Sequence, residues 1–331
     1  MLEEPNYLLE IPRLRVQNAN AISSPLTWGF PAMTAFVGLM HTLERKLDER
    51  SLELFFDSVG VICHRHEPQI STATFPRTFR LTRNPIFQSK RDVQSNRPAA
   101  IVEEGRTHLE ITLVFSVRGD SCKSSENEQV ARQIEELVHT LRIAGGTVQP
   151  TRNARRRSTR IIPVTEDAEA RPKEYRKLLR QWLPGFALVA RDDLLQSHWK
   201  TLREERPEST LLDAWLDLSR LTWECHGEES ADTEQAPTVH WEPRRPRGSS
   251  GWIVPIPVGY GALGPLHDPG TVAAVRDAET PFRFVESLYS IGQWIGPHQL
   301  TSPKQLLWYP ESEPDNGRYR LRNDYEPNVY A

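Results

Sequence analysis

Cysteine is scarce: three in 331 residues, at Cys63, Cys122 and Cys225. An odd number, widely scattered, excludes a disulfide framework and a thiolate zinc site, and it suits a reducing, cytoplasmic location. No apolar run approaches the ~18 residues of a membrane span, and no secretory leader is recognisable, so no membrane association is expected. A surplus of positive charge is also missing. Lys and Arg number 41 against 44 Asp and Glu, a net charge of −3, so any contact with nucleic acid must come from a local patch. GxSxG, Walker and HExxH motifs are absent, which removes the commonest hydrolase, nucleotide-binding and zinc-peptidase signatures. No cofactor is implied.

What is present is enough for a core. Hydrophobic residues make up 38% of the chain, and 26 prolines with 18 glycines point to turns and insertions rather than a helical bundle. Charge is unevenly spread. Between Arg65 and Arg106 eight basic residues face four acids, and between Arg152 and Arg180 ten face four. Glu224 to Glu242 carries six acids and no Lys or Arg, the pattern of a solvated acidic loop.

Periodicity orders the first half as β-α-β-β-α-β. Tyr7–Val16 reads as a strand, and Met33, Phe36, Val37, Met40, Leu43 and Leu47 recur at helical spacing. Leu52–Cys63 and Leu109–Val117 read as strands, Asn127–Ala144 as a helix capped by Gly145 and Gly146, and Thr147–Pro150 as a last strand. That order is the ferredoxin-like order of RNA-recognition folds. The expectation is an α+β protein with a ferredoxin-like core over residues 1–150, a long insertion over about 64–108, and a mixed extension over 151–331. In the extension, helices are expected near Pro172–Trp182, Asp192–Glu205, Leu211–Leu221 and Phe282–Ile295, and strands at Leu183–Arg191 and, as an edge, Trp252–Pro257. Eight of the nine tryptophans lie after residue 181, the mark of a core with interface anchors.

Candidate site residues cluster in two places. Gln17, Asn18, Asn20, Ser23 and Ser24 form a polar loop that closes on Trp28, Gly29, Phe30 and Pro31. Amides and hydroxyls can read base edges and aromatics can stack on bases; equally, such side chains can bond the backbone of a strand-to-helix turn. In the insertion, Arg77, Arg80 and Arg83 alternate with Phe79 and Leu81, a basic ribbon suited to a phosphate backbone or to a solvated edge hairpin. The cluster Arg152 to Arg160, with Arg152, Arg155 and Arg156 at its head, forms a basic arm for phosphate contacts or a flexible charged linker. Cys63, His64 and His66 would alternate across a strand and lack a fourth ligand, so no metal is expected. His64, His66 and His108 are the available general acids or bases.

The string PRLRVQNANAISSPLTWGFP, Pro12 to Pro31, resembles the N-terminal signature of the crRNA 5′-handle-binding subunits, of the Cas-five class, of type I-F CRISPR surveillance (Cascade) complexes. The likeness continues in order through GVICHRHEPQIS (Gly60–Ser71), LTRNP (Leu81–Pro85), AAIVEEGRTHLEITL (Ala99–Leu113) and LPGFALVAR (Leu183–Arg191). It extends to GWIVPIPVGYGAL (Gly251–Leu263), ETPFRFVESL (Glu279–Leu288) and LLWYPESEPDNGRYR (Leu306–Arg320). The resemblance implies a β-hairpin thumb in the insertion, lying across the guide RNA. It adds Asn84, Arg106 and Arg283, within matched segments, to the RNA-binding candidates. It implies a non-catalytic subunit that binds the crRNA 5′ handle. The implied partners are the large Csy subunit of the Cas-eight class and the first backbone subunit of the Cas-seven class, with target DNA reached through the complex by base pairing. The alternative is a metal-independent crRNA-processing endoribonuclease on the same fold, since some Cas-five proteins of other subtypes process crRNA.

Overall fold

The computed structural model describes residues 2–72, 78–83, 101–123, 127–150, 157–228, 238–244, 251–275 and 277–327. The chain opens with the long strand β1 (Tyr7–Asn20) and a tight hairpin, β2 (Ile22–Ser24) and β3 (Thr27–Trp28). Helix α1 (Met33–Asp48) follows, then β4 (Phe55–Pro68). Short strands β5 (Ile70–Ser71), β6 (Thr78–Arg83) and β7 (Ile101–Glu104) precede β8 (Arg106–Arg118). A short helix α2 (Asp120–Lys123), helix α3 (Asn127–Thr140), and strands β9 (Arg142–Ile143) and β10 (Gly146–Gln149) complete this half. The strands lie side by side in the order β4-β8-β1-β10, every pair antiparallel.

Strands β1, β4 and β8 are longer than the apolar periodicity shows, although β4 begins at Phe55 rather than Leu52; the second helix is shorter, ending at Thr140, and Gly145 and Gly146 lie where β9 turns into β10 instead of capping it. β4 and β8 stay paired out to Pro68↔Thr107, so residues 64–68 and 106–108 belong to the sheet and the insertion proper spans only 69–105. Within it β6 pairs with both β5 and β7. The ends of these strands carry polar residues because only one of their faces is buried, and burial, not pairing, is what periodicity registers.

One face of the sheet is covered by α1 and α3. Leu9, Ile11, Leu14 and Val16 of β1, Val59 and Val61 of β4, and Leu109, Ile111, Leu113 and Phe115 of β8 meet Phe36, Met40, Leu43, Val130 and Ile134 from the helices. β1 slips register twice, between Ile11 and Leu14 and between Val16 and Ala19. Arg13 and Asn18, at those slips, have φ of 49° and 59°. Bulges of this kind re-aim the side chains that follow them.

The second half adds to the same sheet. β11 (Arg160–Pro163) pairs with β1 beside β10. Helix α4 (Arg171–Gln181) leads to β12 (Phe186–Ala190), and α5 (Asp192–Glu205) and α6 (Leu211–Ser219) form a helical pair. Among the described residues β13 (Thr222–Glu228) and β14 (Thr238–Arg244) pair only with each other. β15 (Trp252–Ala262), β16 (Val285–Ile295), β17 (Trp308–Glu313) and β18 (Arg318–Asn323) continue the antiparallel path β12-β16-β15-β18-β17. Both ends of that path meet the free edge of β4, at Ala187↔Ile62 and Trp308↔Val59.

This docking covers part of the sheet's second face. Leu8, Ile62 and Val114 are packed under Leu179, Trp182, Val189, Leu306 and Leu307. Gly60 sits at the closest approach, where a Cβ would lie 1.4 Å from the Cδ1 atom of Leu306. Trp308 Nε1 donates to the Leu188 carbonyl (2.9 Å) and Trp215 Nε1 to that of Ser290 (2.9 Å), so these two buried indoles are satisfied. Arg160 reaches the buried Glu10 through Nε and Nη2 (2.9 and 2.6 Å), tying β11 to β1.

Two expectations change. Residues 282–295 hold no helix: Val285–Ile295 is a strand paired on both edges, with β12 and with β15. Its β-branched and aromatic residues, and Gly292 in the middle, favour the extended form once two partner strands are available. The acidic run is not wholly loop either, since its two ends form β13 and β14; residues 229–237 lie outside the described residues. No helix of the described residues is long and apolar enough to cross a membrane.

Candidate nucleic-acid interface

The far end of the sheet's second face is left open by the second half. There Arg15, Gln17, Arg65, Glu67, His108 and Glu110 line a polar cleft of about 620 Å³. The bulge at Asn18 organises one wall. The Asn18 backbone N–H donates to His108 Nδ1 (3.2 Å), and the Gln69 amide contacts both the Asn18 side chain (2.6 Å) and His108 Nε2 (3.0 Å). Gln17 is held by Gln149 Nε2 (3.0 Å). Arg65 pairs with Glu67 (2.6 Å) on an exposed surface, where such a pair contributes under about 1 kcal/mol and yields easily to a phosphate. Arg15 is exposed and makes no ion pair among the described residues.

The β2–β3 hairpin follows β1 directly, and its polar side chains mostly serve the turn. Asn20 Nδ2 donates to the Ile22 carbonyl (2.7 Å) and its Oδ1 accepts from Ile22 N–H (3.1 Å). Ser24 Oγ accepts from the backbone of Leu26 (3.2 Å) and Thr27 (3.0 Å), and Ser23 Oγ contacts Thr27 Oγ1 (2.8 Å). Gly29, at φ 119°, turns the chain so that its N–H meets the Ala21 carbonyl (2.7 Å). Only glycine adopts that backbone without strain.

The turn delivers Trp28 and Phe30 to opposite tasks. Trp28 stays 58% exposed and meets Phe79 of β6 edge to face at 5.2 Å, so two residues nominated separately are brought together. Phe30 packs on Phe36 and, at 4.9 Å and 82°, on Trp294 of the second half. Arg80, also on β6, is exposed, and Arg106 lies 3.5 Å from Glu104. Arg77, Asn84, Arg152, Arg155 and Arg156 lie outside the described residues, as does the side chain of Arg83. Arg283 is set apart: its Nη1 donates to the Pro314 carbonyl (3.0 Å), bracing the β17–β18 turn.

The histidines are constrained. A carbonyl only accepts, so His64 Nδ1–H donates to Pro184 O (2.6 Å) and its bare Nε2 accepts from Thr112 Oγ1 (2.8 Å). His66 Nε2–H likewise donates to Gly29 O (3.1 Å). Burial lowers the pKa of both, so both rings are neutral near pH 7. Burial pushes the Cys63 thiol up to about 12, and its side chain points into the helix-side core. Among the described residues no three His, Cys, Asp or Glu side chains converge as metal ligands.

A second cavity, of about 450 Å³, lies where the hairpin faces the second half. Besides Trp28, Phe30, His64 and His66, its lining includes Phe186, Trp252 and Trp294. These last three lie more than 150 residues from the hairpin; no local signal could have joined them to it. The string Gly259–Gly264 has the GxGxxG spacing of a dinucleotide loop, but it runs through the antiparallel β15 with no helix behind it, and so lacks the phosphate-binding context.

Comparison with known proteins bears on the whole chain. A model of the CRISPR-associated protein family Cas_Csy2 matches residues 9–321. The chain is 47% identical over 321 residues to the CRISPR-associated protein Csy2 of Pseudomonas aeruginosa strain UCBPP-PA14, an alignment covering 96% of this chain and 95% of that one. The chain belongs to the Csy2 family. Membership agrees with the type I-F resemblance carried by the quoted segments, and the match runs through both halves of the fold, including the strands that close on β4.

Proposed function

We propose that this Csy2-family chain is a non-catalytic subunit of a type I-F CRISPR RNA-guided surveillance complex that holds the 5′ handle of crRNA. The full-length family match at 47% identity carries the reading. The fold is consistent with it. Strand order β4-β8-β1-β10 with α1 and α3 on one face supports reading this half as a ferredoxin-like core, and the pairing of β6 with β5 and β7 supports reading the insertion as a thumb. RNA-recognition folds bind on the face away from the helices. Among the described residues the polar end of that face, around Arg15, Arg65 and Asn18, is uncovered, so the handle would run there, beside Trp28, Phe79 and Arg80. Its protein neighbours would be the large Csy subunit and the first backbone subunit, with target DNA recognised through the guide.

The endoribonuclease reading is weaker because a general base needs a free nitrogen within reach of the 2′-hydroxyl. Both ring nitrogens of His64 are engaged, the lone pair of His108 on Nδ1 already accepts the Asn18 N–H, and His66 keeps only Nδ1, on a ring whose Nε2–H is held by Gly29 O. The test is fluorescence anisotropy with a repeat-derived 5′-handle RNA and a scrambled control, with gel analysis of the same RNA. Tighter binding of the handle, without cleavage, is expected. Equal binding of both RNAs, or site-specific cleavage abolished by His108→Ala, would overturn it.

A further inference from the structure

Aromatic rings with exposed faces are costly to keep in water, and contiguous apolar patches mark sites of use. The cavity between the hairpin and the second half gathers several. Trp28, Phe186 and Trp252 are each about half exposed, at 58%, 48% and 55%. Their neighbours hold them from the side: Phe186 meets Trp252 at 6.1 Å and 74°, and Trp252 meets Trp294 at 6.1 Å and 43°. Such contacts fix ring orientation, and the half exposure of Trp28 and Trp252 leaves part of each ring open to solvent. At about 450 Å³ the space is within the usual range for a small planar ligand.

We propose that this cavity receives one unstacked nucleobase of single-stranded RNA, stacked on Trp252 and Trp28. The proposal rests on the RNA-binding reading above and locates a base contact within it. Two observations favour a nucleobase over a segment of protein. Arg65 lines both this cavity and the polar cleft, so a base can enter here while its phosphates stay at the cleft. The stretch of β15 bordering the cavity, Val254–Pro257, pairs on one side with β16, and its pairing with β18 begins only at Gly259. Pro255 and Pro257 on that stretch have no N–H to offer, which blocks an incoming protein strand. The two histidines within, His64 and His66, each donate to a main-chain carbonyl.

The test is binding of a fluorescently labelled 5′-handle RNA to the full chain and to Trp252→Leu, with Trp252→Phe as the ring-preserving control. A parallel series of the same RNA carries 2-aminopurine at successive positions. Stacking of one base predicts that Trp252→Leu binds roughly tenfold more weakly. The salt dependence should be unchanged, because every phosphate keeps its basic partner. Trp252→Phe should restore most of the affinity, and 2-aminopurine at one position should be quenched by the wild type but not by Trp252→Leu. If the wild type binds the handle and Trp252→Leu binds equally well with the same quenching pattern, the pocket is not a base site, and the RNA-binding reading survives. Unchanged RNA affinity with loss of co-purifying complex subunits in Trp252→Leu would assign the pocket to a protein side chain and overturn the proposal. A wild type with no preference for the handle overturns the functional reading and this one together. A melting curve on each variant guards against misfolding, since Trp252 is half exposed and its replacement should leave the fold intact.

Discussion

Arg160 belongs to the basic run that a sequence reading offers to phosphate, yet its position makes it a structural clamp. Glu10 is 1% exposed and takes both Nε and Nη2 of Arg160 on one oxygen, at 2.9 and 2.6 Å. The same Nη2 reaches Gln181 Oε1 at 2.7 Å, so β1, β11 and α4 meet at this guanidinium. Removing one partner of a buried ion pair costs about 3–5 kcal/mol, because the other charge is stranded. The Arg160 side chain is 38% exposed, so water can partly replace it, and Arg160→Met should cost about 2–3 kcal/mol. Glu10→Met strands a cation that can still reach solvent and should cost less. The double replacement should be more stable than Arg160→Met alone, because no buried charge is left unpaired. Urea unfolding followed by tryptophan fluorescence measures all three. RNA affinity and its salt slope should be the same for folded Arg160→Met as for the wild type. Stability within about 0.5 kcal/mol of wild type, together with a salt slope shallower by about 0.7, would refute this account and return Arg160 to the phosphate ligands.

Gly60→Ala should destabilise by roughly 1–3 kcal/mol or more, because its Cβ would overlap Leu306, itself fully buried; a melting temperature equal to wild type would contradict the close packing of the second half on β4. Asn20→Ala should lower stability by about 1 kcal/mol through loss of its two bonds to Ile22, with handle discrimination unchanged; weakened discrimination at constant stability would mean that Asn20 reads a base. Because burial depresses the pKa of His64 and His66, the unfolded chain binds protons that the folded chain does not. Stability should therefore be full above pH 6.5 and fall as pH drops below it. A His64→Gln, His66→Gln double variant should show a smaller fall in urea titrations between pH 7 and 5, and an unaltered pH dependence would count against the assignment. Arg15→Ala with Arg65→Ala should flatten the salt dependence of RNA binding by up to about 0.7 for each phosphate left without its arginine, measured by anisotropy; no change would place the backbone elsewhere.

Local pattern determined the main strands and the two long helices of the first half. The 3.6-residue spacing from Met33 to Leu47 and the alternation from Leu109 to Val117 each report a single buried face, and both became what they spell. The ordered segments from Pro12 to Arg320 carried the family. Tertiary structure decided the rest, for reasons no window of sequence contains. Val285–Ile295 has helical spacing on paper, but two flanking strands supply hydrogen-bond partners on both edges, and pairing outweighed propensity. Ser24 and Asn20 are the right residues for reading bases, but whether a hydroxyl or amide faces solvent or its own turn depends on backbone geometry set by Gly29 and the bulge at Asn18. Arg160 and Arg15 are equally basic on paper; a carboxylate 150 residues away makes one a clamp, and an open cleft leaves the other free to meet a ligand. The aromatic pocket is the fullest case. Trp28 and Trp252 meet around one cavity only because β12 and β17 close on the edge of β4, a contact whose driving force is the burial of Ile62, Leu306 and Trp182 rather than anything near either tryptophan.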